Sequence, residues 1–301
     1  MVVIGFTAIP KNKQYFMETF VENILKGVRQ WVNTKFDEVT QTLLEDRLVT
    51  SAHINKLTNQ VDDLLHTLYA PKMKFIDLGI SVNWAQYNAG VDPKNLSTAE
   101  SWYGDFYAWG ETETKSDYSW TTYKYANGDS NKLTKYCPID KPEYWNGEGD
   151  PDNKTVLDDV DDLYKNTLYK YFRNQYRMPT KAECEELIAL PNKWVTNFKG
   201  ISGLNGRIFA KTQVELDGTF NDDTMLFIPA AGHFNGSTHN TAGSDCLLWS
   251  SSLNSDFPSN ARHLYFYSNN IRLGNYDRYY GFSVRCVSER LTSIPTTAKV
   301  L

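Results

Sequence analysis

Apolar residues near the start of the chain recur at helical spacing: Phe20, Ile24, Val28 and Val32, then Phe36, Val39 and Leu43, then Leu48. Glycine and proline are almost absent from Lys11 to Ala70, so nothing in that stretch breaks a helix. From Ile54 the spacing tightens to Ile54, Leu57, Val61, Leu64 and Leu68, which places all five on the a/d stripe of a heptad helix. Such a stripe needs a partner, and two arrangements supply one. A short parallel coiled coil would trimerise the chain; an amphipathic helix could instead pack on its own neighbour. Pro71 disfavours helix for the residue before it and closes the region.

From Lys72 the pattern changes to short β-like runs, aromatic residues and Gly/Asn turns. Two later segments predict helices. Asp158 to Arg173 carries Val160, Leu163, Tyr164, Leu168 and Tyr171, and at Thr180 a hydroxyl can cap a helix that Glu183 closes three residues on. MLFIPAAGHF (Met225 to Phe234), LLWSSSL (Leu247 to Leu253) and GFSVRCV (Gly281 to Val287) read as strands. In His263 to Tyr267 the two-residue period puts Leu264 and Phe266 on one face and His263, Tyr265 and Tyr267 on the other. On the closing strand Phe282, Val284 and Cys286 can face the core. Asn269 to Tyr280, dense in Asn, Gly and Arg, is expected to be an irregular loop. The expected organisation is a helical oligomerisation or attachment segment over 1–70, an α+β domain over 71–288, and a C-terminal tail over 289–301.

A net charge of −5 without any Lys/Arg block leaves no electrostatic footprint for nucleic acid. No run of apolar residues is long enough to span a membrane, and the N-terminus lacks the basic region of a secretory signal. Neither nucleic acid nor membrane is therefore expected as a partner. Cys137, Cys184, Cys246 and Cys286 show no metal-ligand spacing and are expected to be buried free thiols, with a Cys246 to Cys286 bridge conceivable if their strands neighbour each other. The acid cluster Asp158, Asp159, Asp161 and Asp162 lacks the order of a calcium loop and reads as a solvated helix start. The five histidines never pair at helical metal spacing, and no nucleophile motif or phosphate loop is visible. Trp84, Trp109 and Trp120 read as core residues rather than as a carbohydrate platform. No enzyme is expected.

FIDLGISVNWAQYNAG (Phe75 to Gly90), YGDFYAWGETETKSDYSWTTYKY (Tyr103 to Tyr125), RMPTKAECEEL (Arg177 to Leu187) and the three later strands follow one another in the order of a known family. Together they resemble C-type-lectin-fold domains of the formylglycine-generating-enzyme subtype, which are widespread in gut Bacteroidales and their phages. Cys184 stands where that family often has Trp. The resemblance implies a C-type-lectin fold, and folds of this subtype can carry structural calcium. The family's enzymes bind copper through two cysteines close together near the C-terminus; here Cys246 and Cys286 are forty residues apart, so the fold is expected without its chemistry. The alternative of a formylglycine-generating-type oxidase would need a reactive cysteine in a cleft.

The stretch from Ser250 to Ser288 contains no Lys, Glu, Gln, Trp or Met, although these types make 55 of the 301 residues and a proportional share, 39/301 of them, is about seven. An Asn codon ending in a pyrimidine cannot become any of those five when only its adenines are replaced. Chance or packing of a Tyr/Asn/Ser-rich loop could also produce the deficit. Framed by LWSSSL and GFSVRCV, the window resembles the variable region of diversity-generating retroelement proteins, whose binding loops are mutated at adenines. That resemblance implies Phe257, Ser259, Asn260, His263, Tyr265, Tyr267, Asn270, Arg272, Asn275, Tyr276, Asp277 and Tyr280 as diversified contact positions, with Ala261, Leu264, Phe266 and Ile271 as fixed scaffold. Tyr279 is expected to pack. Tyrosine suits such a role because it offers a large amphipathic contact with few torsions to freeze. The implied protein is a receptor-binding part of a phage tail, made in the bacterial cytoplasm and trimeric, whose partner is a protein or glycan on a bacterial surface; a bacterial surface adhesin is the alternative.

Overall fold

A computed structural model describes residues 26, 28–39, 74–166 and 176–290. The chain divides into two units, Met1–Leu64 and Leu65–Leu301. In the first, residues 28–39 form helix α1, as the spacing of Val28, Val32, Phe36 and Val39 predicts, with Val28, Trp31 and Val39 exposed. The heptad stripe from Ile54 to Leu68, Pro71, the second half of the Asp158 to Arg173 segment and the tail beyond Arg290 lie outside the described residues.

The second unit is α+β and mainly β. Its largest sheet has five strands in the order β12-β11-β10-β13-β3: β3 (Phe106–Tyr107), β10 (Cys246–Leu253), β11 (Asn260–Tyr267), β12 (Asn270–Asp277) and β13 (Phe282–Ser283). A four-stranded sheet joins β1 (Phe75–Ile76), β2 (Val82–Ala85), β14 (Val287–Glu289) and β4 (Tyr176–Arg177). A three-stranded meander contains β5 (Asn192–Val195), β6 (Gly206–Phe209) and β7 (Leu226–Pro229), and a small ribbon pairs β8 (His233–Asn235) with β9 (Thr238–Asn240).

Strand β10 lies inside the five-stranded sheet and is covered on both faces, which is why CLLWSSSL reads as a continuous buried run instead of an alternation. Cys246 and Leu248 enter a core with Phe209, Leu264 and Phe266, while Leu247 and Trp249 enter a second core with Trp109 and Phe282. The serines that follow accommodate a register shift between Trp249 and Leu253, where Ser250 Oγ donates to the Arg262 carbonyl at 2.8 Å. Helix α3 (Lys181–Ala189) lies against β10, β11 and β12. It begins where the sequence predicts: Thr180 Oγ1 accepts from Glu183 N, and the Glu183 carboxylate accepts from Thr180 N at 2.7 Å. Cys184 and Leu187 point from it into the core. The shorter helices α2 (Leu163–Asn166) and α4 (Gln213–Asp217) complete the α content of this unit among the described residues.

Two expectations change. Asn269 to Tyr280 is not an irregular loop: β12 pairs residue by residue with β11 from Asn260↔Asp277 to Tyr267↔Asn270. Strand formation wins there because Ile271 and Leu273 reach the core beside α3, an apolar alternation hidden by the surrounding Asn, Gly and Arg. The acid cluster is a solvated helix start only in part, with Asp159 exposed and Asp158 half-buried. Asp161 and Asp162 are buried; Asp161 accepts from the Tyr125 and Tyr136 hydroxyls and the Lys135 ammonium, and Asp162 accepts from the backbone N of Tyr164 (3.0 Å) and Met178 (2.9 Å). Buried carboxylates are retained only when so partnered. All four cysteines are buried and free, as the sequence predicts, and the conceivable Cys246 to Cys286 bridge does not form. Phe282, Val284 and Cys286 do face the core, as do Trp84 and Trp109. No described helix is long and apolar enough to cross a membrane.

Candidate functional site

The β11–β12 hairpin divides its side chains by the two-residue period. Ala261, Leu264 and Phe266 are fully buried and Ile271 is partly buried, as expected of scaffold positions. On the face away from α3 the register sets Tyr265 opposite Arg272, His263 opposite Gly274, and Ala261 opposite Tyr276. The Arg272 guanidinium lies 5.0 Å from the centroid of the Tyr265 ring, and Tyr267 stands 5.8 Å beyond Tyr265. A cation held over a tyrosine face leaves its outward N–H groups free for a ligand acceptor.

These side chains border a cleft of about 220 Å³, lined by His233, Asp245, Leu247, His263, Tyr265, Arg272, Gly274 and Tyr276, with Asn275 at the rim. His263 forms its floor. Only 2 % exposed, it is packed edge-on against Trp249 and Phe282 and pressed against Gly274, where an added Cβ would lie 2.6 Å from the imidazole. Burial, reinforced by the Arg272 charge, lowers the His263 pKa to about 3. Burial also lowers that of His233, raises the Asp245 carboxyl against the opposing effects of Thr241 and His233, and raises the Tyr265 and Tyr276 phenols. At neutral pH the cleft thus presents neutral imidazoles, phenolic donors, one guanidinium and the Asp245 carboxyl.

The twelve expected contact positions separate into three groups. Phe257, Arg272, Asn275 and Tyr276 are exposed, and Asn260, Tyr265, Tyr267, Asn270 and Asp277 are half-buried. Ser259, His263 and Tyr280 are buried, which corrects their assignment as presented side chains. Each has a packing reason. Ser259 closes the turn into β11, donating to Asn260 Oδ1 at 2.9 Å while its carbonyl accepts from Arg278 N; His263 fills the space that Gly274 leaves; Tyr280 stacks on Tyr279 and meets Tyr276 edge-on, both at 4.4 Å. Tyr279 itself packs against Trp120. Asn260, Asn275 and Asp277 belong by alternation to the opposite face of the hairpin, where Asn260 Nδ2 donates to Asn275 Oδ1 at 3.4 Å. Phe257 stands apart, on the loop between β10 and β11.

Comparison of the chain with family models, with curated proteins and with solved structures gives no match.

Several residues of the cleft carry no signal of their own in the sequence. His233 arrives from β8, Asp245 from the residue before β10, and Leu247 from β10 itself, the strand that precedes the hairpin. Gly274 is different: a glycine inside an alternating strand is itself a mark of close approach. Arg207 on β6 is the least expected. Its Nη2 donates to the carbonyls of Tyr267 (2.9 Å), Ser268 (3.3 Å) and Asn270 (3.4 Å), and its Nη1 to Asn192 Oδ1 at 2.6 Å. One buried guanidinium from a neighbouring sheet thereby holds the tip of the hairpin. Burial also raises the pKa of all four thiols, Cys137 to about 11 and Cys184, Cys246 and Cys286 well above the ordinary value, so none offers a thiolate at neutral pH.

Proposed function

We propose that this chain is a ligand-binding protein whose second unit is a C-type-lectin fold displaying a diversified site on the β11–β12 hairpin. The observation that carries this reading is the division of the hairpin itself. Ala261, Leu264 and Phe266 are locked in the core, while Tyr265, Tyr267, Arg272 and Tyr276 stand together at an open cleft within the stretch that lacks Lys, Glu, Gln, Trp and Met. Substitution there changes the contact surface and leaves the scaffold in place. Aromatic and Arg side chains in this arrangement are the usual anchors of a protein interface.

The reading extends to a receptor-binding part of a phage tail, trimeric through the N-terminal helical segment, that recognises a protein or glycan on a bacterial surface. Weak single sites gain from such multimerisation. We assign it no catalysis: the alternative oxidase needs a reactive cysteine, and burial keeps every thiol here protonated. The test is binding of the labelled chain to a panel of bacterial strains. A Tyr265→Ala/Tyr267→Ala double variant should lose at least about thirtyfold in affinity, about 2 kcal/mol. Unchanged binding by the folded double variant would refute the site.

A further inference from the structure

Strand β12 is the outer edge of the five-stranded sheet, and it is unlike every other sheet edge in the described residues. The opposite edge, β3, has two residues, as do β1 and β4 at the edges of the four-stranded sheet, and β5 and β7 have four each. β12 runs for eight residues in unbroken register with β11. Proteins blunt exposed edges by shortness, lysine, proline, bulges or a covering segment, because a free row of N–H and C=O groups recruits another strand. Between Asn270 and Asp277 there is no lysine, no proline and no break in register, and the charged side chains are Arg272 and Asp277. In an antiparallel ladder alternate residues turn their backbone groups away from the partner strand. From Ile271 to Tyr276 those outward groups make no hydrogen bond to any described residue, and Arg272, Asn275 and Tyr276 are exposed.

We propose that the ligand of this site is a polypeptide, and that an extended segment of it adds to β12 as a sixth strand. This inference rests on the reading of the hairpin as a diversified binding site and names the class of molecule it takes. Main-chain hydrogen bonds along an edge do not depend on side-chain identity. They therefore supply a constant share of the affinity while Arg272, Asn275 and Tyr276 change. The outward N–H groups of Arg272 favour a carboxylate or amide on the segment beside it. Pairing with a second copy of this chain is the competing occupant, and its dependence on chain concentration separates it from peptide addition.

The probe is a library of short random peptides displayed for selection on the full chain, followed by hydrogen exchange of the chain with an enriched peptide. At a peptide concentration a hundred times its Kd, the freely exchanging amides between Ile271 and Tyr276 should slow about a hundredfold. N-methylation at alternate peptide residues should abolish that protection, and at the intervening residues should leave it. Three results would overturn the proposal: no peptide enriched, enriched peptides that leave the β12 amides unprotected, or β12 amides that become protected in the free chain as its concentration rises, which is pairing with a second copy. Binding of the chain to bacterial cells, weakened by the Tyr265→Ala/Tyr267→Ala variant, reports separately on the underlying reading. It can persist when the edge proposal fails.

Discussion

His263 offers a sharp test of how the hairpin is packed. Its imidazole is held neutral by burial, with a pKa of about 3 in the folded chain against an ordinary value near 6.5. Between those values the unfolded chain binds a proton that the folded chain refuses, so stability falls as pH drops through this window and is restored above about 6.5. At about 1.4 kcal/mol per pH unit, acidification from pH 7 to 4.5 costs about 2.5 kcal/mol through this one side chain. His233 acts in the same direction and Asp245 in the opposite one, while Asp77, Asp158 and Glu183, whose pKa values are lowered, lose stabilising ionisation at still lower pH. A His263→Leu variant keeps all of those groups and removes only the imidazole, so the difference between the two proteins isolates it. Urea unfolding of both across this range measures the effect: the wild-type midpoint should fall by about 1 M more than that of the variant. Equal falls would mean that His263 is solvated, and the floor of the cleft would then be wrongly assigned.

Two further substitutions probe the supports of the hairpin. Arg207→Met leaves the carbonyls of Tyr267, Ser268 and Asn270 without their shared donor and should destabilise the chain by about 1–3 kcal/mol, with faster hydrogen exchange concentrated at the Tyr267 to Asn270 turn; unaltered exchange there would show that the turn does not depend on Arg207. Gly274→Ala drives a methyl group into the imidazole of His263 and should cost about 1–3 kcal/mol, read as a lower thermal midpoint. A His263→Ala change in the same chain should recover part of that loss by making room, and no recovery would disprove the contact.

What was legible in the sequence is whatever local chemistry decides. The cap at Thr180 and Glu183 needs only two side chains three residues apart, and it forms as expected. The alternation of Leu264 and Phe266 against Tyr265 and Tyr267 depends on the pleat alone, and it too holds. What failed was set by distant partners. His263 shares a face with Tyr265 and Tyr267, yet it lies nearer the centre of the sheet, over Trp249 and Phe282, so face and burial are separate questions. Asp161 looks like a solvated charge until Tyr125, Tyr136 and Lys135 arrive from an earlier loop. Strand β12 was hidden because Asn and Gly residues that usually signal a turn here pair with β11, and Arg207, an unremarkable residue in an apolar run, reaches the hairpin tip from another sheet.

The central claim is that the exposed positions of the hairpin vary by design while its buried ones stay constant. Sequencing the coding region for Ser250 to Val287, with its flanking DNA, across many isolates of the same lineage tests it most directly. The account predicts substitutions confined to adenine positions and concentrated at Tyr265, Tyr267, Arg272 and Tyr276, with Leu264 and Phe266 unchanged and a near-repeat of the segment beside a reverse transcriptase gene. Substitutions spread evenly over all bases, or falling equally on Leu264 and Phe266, would contradict it.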